Sequence, residues 1–96
     1  MPALSEYSNI HDSIFNILSN KGYKVWIDVE KEIYWAEKDG WDFCALSPCA
    51  LLGVVSIFEY KKPDCYREYW WREDGDASES SLSTVSPAYI SVIHSK

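Results

Sequence analysis

Three cysteines, two histidines and fifteen carboxylates are the side chains of this 96-residue sequence best suited to ligate a metal, and with its hydroxyls they are the first candidates for a nucleophile or a proton carrier. Zinc takes four Cys, His or carboxylate ligands, usually announced by a C-x-x-C or H-x-x-x-H pair. Cys44, Cys49, Cys65, His11 and His94 form neither. Cys44 and Cys49 fall on either side of a predicted strand-to-helix corner, and the thiols are odd in number without a repeating spacing. They read as reduced, small buried thiols rather than metal ligands or a disulfide framework. Calcium fares no better. Asp74, Asp76 and Ser78 stand at the first, third and fifth positions of an EF-hand-like loop, but Glu79 occupies the position that needs glycine. Val85 occupies the position that needs a bidentate glutamate.

Nucleophilic catalysis needs a thiol or hydroxyl beside a base that a third group orients. Cys44 or Cys65 with His94 would be the pairing, and no G-x-S-x-G elbow, H-E-x-x-H helix or glycine-rich phosphate loop supports it. The acid pairs Glu30 with Glu32 and Glu37 with Asp42 resemble the exposed side of ordinary strands, and no second feature marks a substrate cleft. The expectation is a protein without enzymatic activity, cofactor or metal.

What remains is recognition, and charge narrows its partners. Nine Lys and Arg against fifteen Asp and Glu leave a net charge of -6, and the sole adjacent cation pair is Lys61-Lys62. Phosphate backbones are bound by clustered cations, so nucleic acid is set aside. An acidic surface suits a basic protein partner, with solubility as the alternative reason for the acidity. The N-terminus lacks the positive start and apolar run of a signal peptide. The longest apolar-rich run, Cys49 to Tyr60, falls well short of the roughly twenty residues of a bilayer span. A cytoplasmic protein, monomeric or weakly dimeric and off the membrane, is expected.

The elements that must position these residues are legible from hydrophobic spacing. Hydrophobic residues make up 47% of the chain and aromatics 16%, enough for one domain spanning residues 1–96 with its own core. Leu4, Tyr7, Ile10, Ile14, Ile17 and Leu18 recur at threes and fours, predicting an amphipathic helix capped by Ser5 or Ser8 and ended at Gly22. From Tyr23 the period becomes two, as in a strand with one buried face. Glu30-Lys31-Glu32 reads as a turn. Asp39-Gly40, between "IYWAEK" and "WDFCAL", predicts a type I′ hairpin, because that turn needs positive φ at both central residues. Ser47-Pro48 predicts a helix start, the serine capping and the proline occupying the first helical position. The following "CALLGVVSIFEY" is apolar nearly all round and ends at Lys61, Lys62 and Pro63. "CYREYWWR" is rich in the aromatics that favour pleated surfaces and predicts a fourth strand. Residues 73–84, with Glu73, Asp74, Asp76 and Glu79 among serines and a glycine, predict a flexible acidic loop. The tail 85–96 leaves strand and short helix open.

The sum is an α+β fold: two helices on one face of a four-stranded, mainly antiparallel sheet, in the order α-β-β-β-α-β plus tail. Such a layer leaves the other sheet face uncovered. Trp70 and Trp71 sharpen the point, since adjacent strand residues point oppositely and the core takes one indole while its neighbour needs cover from elsewhere. The predicted binding residues are Trp70, Trp71, Glu73, Asp74 and Asp76, with Tyr34 and Trp35: rigid aromatics supplying contact area and carboxylates supplying specificity.

One segment adds a resemblance. "WDFCALSPCALLGVVSIFEYKKP", a strand, a Ser-Pro helix start and a Leu-Leu-Gly helix ending near an acidic and aromatic pair, resembles a segment of small acidic bacterial proteins. Some of these act as immunity proteins that neutralise toxins. The similarity covers about a quarter of the chain, its motif is structural, and it carries over no residue roles. It implies that occlusion of a cationic toxin stands first among binding functions. A regulatory or structural interaction module is the alternative.

Overall fold

A computed structural model of the chain describes residues 2–94. Residues Glu6–Trp71 form one compact unit, and residues 72–94 with 2–5 form another. The first unit holds two helices, α1 (His11–Asn20) and α2 (Pro48–Lys61), and three strands, β1 (Lys24–Asp28), β2 (Ile33–Lys38) and β3 (Trp41–Ala45). The strands pair antiparallel in the order β1-β2-β3. The architecture is α+β.

Each junction has a local cause. Gly22, at φ 96, turns the chain from α1 into β1 in a conformation that a Cβ would resist. Between β1 and β2 the Asp28 carboxylate accepts the Lys31 amide at 3.2 Å, and Glu32 adopts φ 55. Asp39 and Gly40 both have positive φ, 52 and 86, as a type I′ turn requires, so Lys38 pairs with Trp41 at the tip of the hairpin. Ser47 Oγ accepts the Ala50 amide at 3.1 Å with Pro48 beginning α2, and Lys62 closes that helix in the left-handed region.

Side-chain parity divides the sheet. Val25, Ala36 and Phe43 lie in one cross-strand row and turn to the helices, joining Ile14 and Leu18 of α1 and Leu51 and Val55 of α2 in the core. Leu18, Ala36, Leu51 and Val55 are wholly shielded from solvent. At the edge of this core Glu59 ties α2 to the end of α1. It accepts a hydrogen bond from Lys21 Nζ and another from the Tyr23 hydroxyl at 3.1 Å, while Lys38 Nζ donates to the Lys21 carbonyl at 2.8 Å. The Lys21 hydrogen bond is the main cause holding the Glu59 carboxyl below its ordinary range. Burial, reinforced by Glu59, pushes the Tyr23 phenol up to about 12.

Two expectations require correction. The first helix begins later than its apolar spacing implied: residues Ser8–Ile10 form a short 3-10 turn, no side chain caps α1, and Leu4 and Tyr7 are exposed. A helix of ten residues spans about 15 Å, close to the roughly 17 Å of a five-residue strand, so a further turn would overhang the sheet it covers. The second correction is the fourth strand, which is absent among the described residues. Tyr69 takes φ 60 and the Trp70 amide bonds the Arg67 carbonyl at 3.1 Å, so "REYWW" is a turn. Its aromatic β-propensity is overridden because the turn delivers the Trp70 indole to Trp41 and Phe58, at centroid distances of 5.3 and 6.1 Å.

In the second unit, residues Glu79–Ser81 form a 3-10 turn closed by Ser78 and Ser81, whose side chains and amides bond reciprocally. Val85, Tyr89, Ile90 and Val92 are exposed. Of the tail, residues 95 and 96 lie outside the described residues.

Candidate functional site

The sheet face turned away from the helices is built by the alternate residues of the same three strands. Its central row is Trp26, Trp35 and Cys44. The two indoles stack with centroids 5.8 Å apart and planes within 3° of parallel. Trp26 remains 46% exposed although it sits inside a strand. The neighbouring row is Lys24, Glu37 and Asp42, and Asp28 pairs with Ile33 on the other side. Two stacked indoles flanked by carboxylates form a flat, rigid surface that loses little side-chain entropy on contact.

Beside the β2–β3 hairpin the same unit has a concave site of about 420 Å³. Trp41, Tyr66 and Trp70 line it together with Asp39, Gly40, Asp42 and Cys65. Trp41 and Trp70 meet at 75°, making a corner, and Tyr66 stands 6.5 Å from Trp41. Asp42 belongs both to this cleft and to the row beside the stacked indoles.

The residues expected to form a binding site are distributed rather than gathered. Trp35 lies on the open face. Tyr34, one residue earlier, points to the helix side and stacks on Phe15 at 5.9 Å, so the two do not share a surface. Trp70 packs against the core and walls the cleft, whereas Trp71 is 49% exposed and meets Tyr69 edge-on at 6.0 Å. Glu73, Asp74 and Asp76 are exposed residues of the second unit. Sequence reasoning set Asp42 among the charges of the uncovered sheet face but did not single out Trp26, Trp41, Tyr66 or Asp39 as binding residues. The signal for Trp26 was present, because a four-residue connection between β1 and β2 sets Trp26 opposite Trp35. No local signal joins Trp41 to Tyr66 and Trp70, which meet through the chain reversal after α2.

The thiols of Cys44, Cys49 and Cys65 are free, but they are not the buried set expected: Cys44, on the open sheet face, and Cys65 are exposed, and Cys49 is half-buried. Among the described residues no three His, Cys, Asp or Glu side chains converge as a metal site. Among the same residues no helix is long and apolar enough to cross a membrane. Compared with protein-family models, with curated proteins and with solved structures, the chain matches none.

Proposed function

We propose that this chain is a non-enzymatic, acidic protein-binding domain that receives a basic protein on its open sheet face. Its most specific form is an immunity protein that occludes a cationic toxin in the cytoplasm. The observation that carries the reading is the stacked Trp26–Trp35 pair on the face that neither helix covers. Ordinary packing economy would place such indoles inward, where burying a large aromatic stabilises the fold by several kcal/mol. Aromatics held in the open by a rigid sheet are the usual anchors of an interface, and Glu37 and Asp42 beside them favour a partner of opposite charge. The whole-chain charge of -6 acts at longer range, raising the encounter rate with a basic protein and rejecting acidic ones.

The test is retention of a partner by wild-type and Trp26→Ala chains, each tagged and expressed in the native cell. A stoichiometric basic protein held by the wild type and lost from a folded Trp26→Ala chain supports the reading. The expected loss is about 2 kcal/mol or more in binding. A partner held equally by both chains, or a wild-type chain recovered as a free monomer, counts against it.

A further inference from the structure

We infer that the cleft walled by Trp41, Tyr66 and Trp70 is a receptor for one arginine side chain of the protein partner. This rests on the reading of a basic protein partner and adds the chemistry by which that partner is selected. The aromatic and the acidic lining of the cleft ask for different properties in one ligand group. Trp41 and Trp70 meet edge-to-face at 75°, and Tyr66 adds a third ring to the lining. Ring faces attract cations and give most to a group that is weakly hydrated and flat.

The acidic lining supplies full negative charge. Asp39 and Asp42 border the same cleft and are exposed. No hydrogen bond or ion pair among the described residues occupies either carboxylate. The nearest cation along the chain, Lys38, is turned away to the Lys21 carbonyl and the Tyr23 ring. The third acid of the hairpin, Glu37, is already engaged, accepting the Gly40 amide at 2.9 Å. The tight Asp39-Gly40 turn fixes where Asp39 and Asp42 stand, and the core contacts of Trp41 and Trp70 fix the walls.

A guanidinium satisfies both demands together. It lies flat on an indole while its edge donates two hydrogen bonds to carboxylates. A quaternary ammonium would use the rings but has no proton to donate, leaving the aspartates without hydrogen bonds. A lysine ammonium would satisfy the aspartates, but its strong hydration opposes burial against rings. The volume of about 420 Å³ accommodates the planar head and its methylene stem. Asp42 also flanks the open sheet face, so a partner seated on Trp26 and Trp35 has this cleft at its border.

The experiment uses N-acetyl-arginine-methylamide as the probe, at constant ionic strength, with the equivalent lysine derivative and tetramethylammonium as comparisons. The indole N–H resonances of Trp41 and Trp70 are followed by NMR. The expected result is a saturable shift at those two indoles with a dissociation constant of roughly 1–10 mM, as befits one side chain without its protein. The double variant Asp39→Asn/Asp42→Asn should weaken binding about tenfold, and lysine and tetramethylammonium should bind more weakly than arginine. Both positions are exposed, so this variant keeps the fold, and the undisturbed remainder of its spectrum verifies that. Tyr66→Ala, at a site 75% exposed, should weaken binding several-fold without unfolding the chain. Equal binding of arginine and tetramethylammonium, unchanged affinity in the Asp variant, or no saturable shift up to about 100 mM overturns the assignment. Since Trp26 does not line the cleft, failure here leaves the sheet-face reading standing, and retention of the partner by Trp26→Ala, which counts against that reading, leaves this one to be judged by the probe.

Discussion

The two faces of one three-stranded sheet carry similar residue types to opposite ends. On the helix side Tyr23, Phe43, Trp41 and Phe58 meet edge-on or tilted at 5.1 to 6.5 Å, the interlocking arrangement that fills a core. On the other side Trp26 and Trp35 lie flat against each other with nearly parallel planes, and Trp26 keeps almost half its surface in water. The difference teaches that aromatic content by itself does not distinguish core from interface. What separates them is whether a second layer reaches the residue, and both helices are committed to one side.

The comparison can be broken by substitutions on each side. The largest effect is expected for Leu51→Ala, which empties a fully shielded position between α2 and the sheet. It should cost about 2–5 kcal/mol in denaturant unfolding. Trp70→Ala should cost about 3 kcal/mol, because it removes a partly buried ring from the Trp41–Phe58 cluster, whereas Trp71→Ala should shift the same measurement by less than about 1 kcal/mol. If the two variants unfolded alike, the separation between them would fail. Ser47→Ala tests the start of the covering layer, and loss of the Ala50 amide's acceptor should cost about 0.5–2 kcal/mol.

On the open side Trp26→Ala should lose a stacking contact worth about 0.5–1.5 kcal/mol, less than any core truncation. A larger loss in thermal or denaturant unfolding would show that this face has a structural role. The smallest effect concerns the tie at the core's edge. Glu59 has its folded value lowered, chiefly by Lys21, so its contribution is present above the ordinary carboxylate range and is lost as pH falls through the lowered value. Tyr23 has its folded value raised to about 12, so its contribution is full below the ordinary 10 and is lost as pH rises through about 12. Stability measured against pH should fall at both extremes. Glu59→Gln should flatten the acidic fall, and an unaltered profile in that variant would remove Glu59 from the account.

Much of the framework was legible because its signals are local. The Asp39-Gly40 turn, the Ser47 cap with Pro48 and the alternation from Tyr23 each depend on a few neighbouring residues, and each appears where the spacing placed it. The segment "CYREYWWR" misled for the same reason. Its composition favours a strand, yet the left-handed Tyr69 and the gain from inserting Trp70 beside Phe58 are invisible to a local reading. The candidate site divides along the same line. Trp35 and Trp70 were identifiable as large aromatics in need of cover. Tyr34 was grouped with Trp35 although strand parity sends them to opposite faces.

The sequence by itself determined the α+β class, the hairpin, both helices and the acidic charge, because periodicity, turn chemistry and composition act over distances of a few residues. Tertiary structure alone decided which aromatics share a surface. The stack of Trp26 on Trp35 needs a strand register. The corner of Trp41 and Trp70 needs a chain reversal that brings together side chains twenty-nine residues apart. Cross-strand register and the reversal after α2 are settled by what the whole core excludes from water. No short window of residues contains that information.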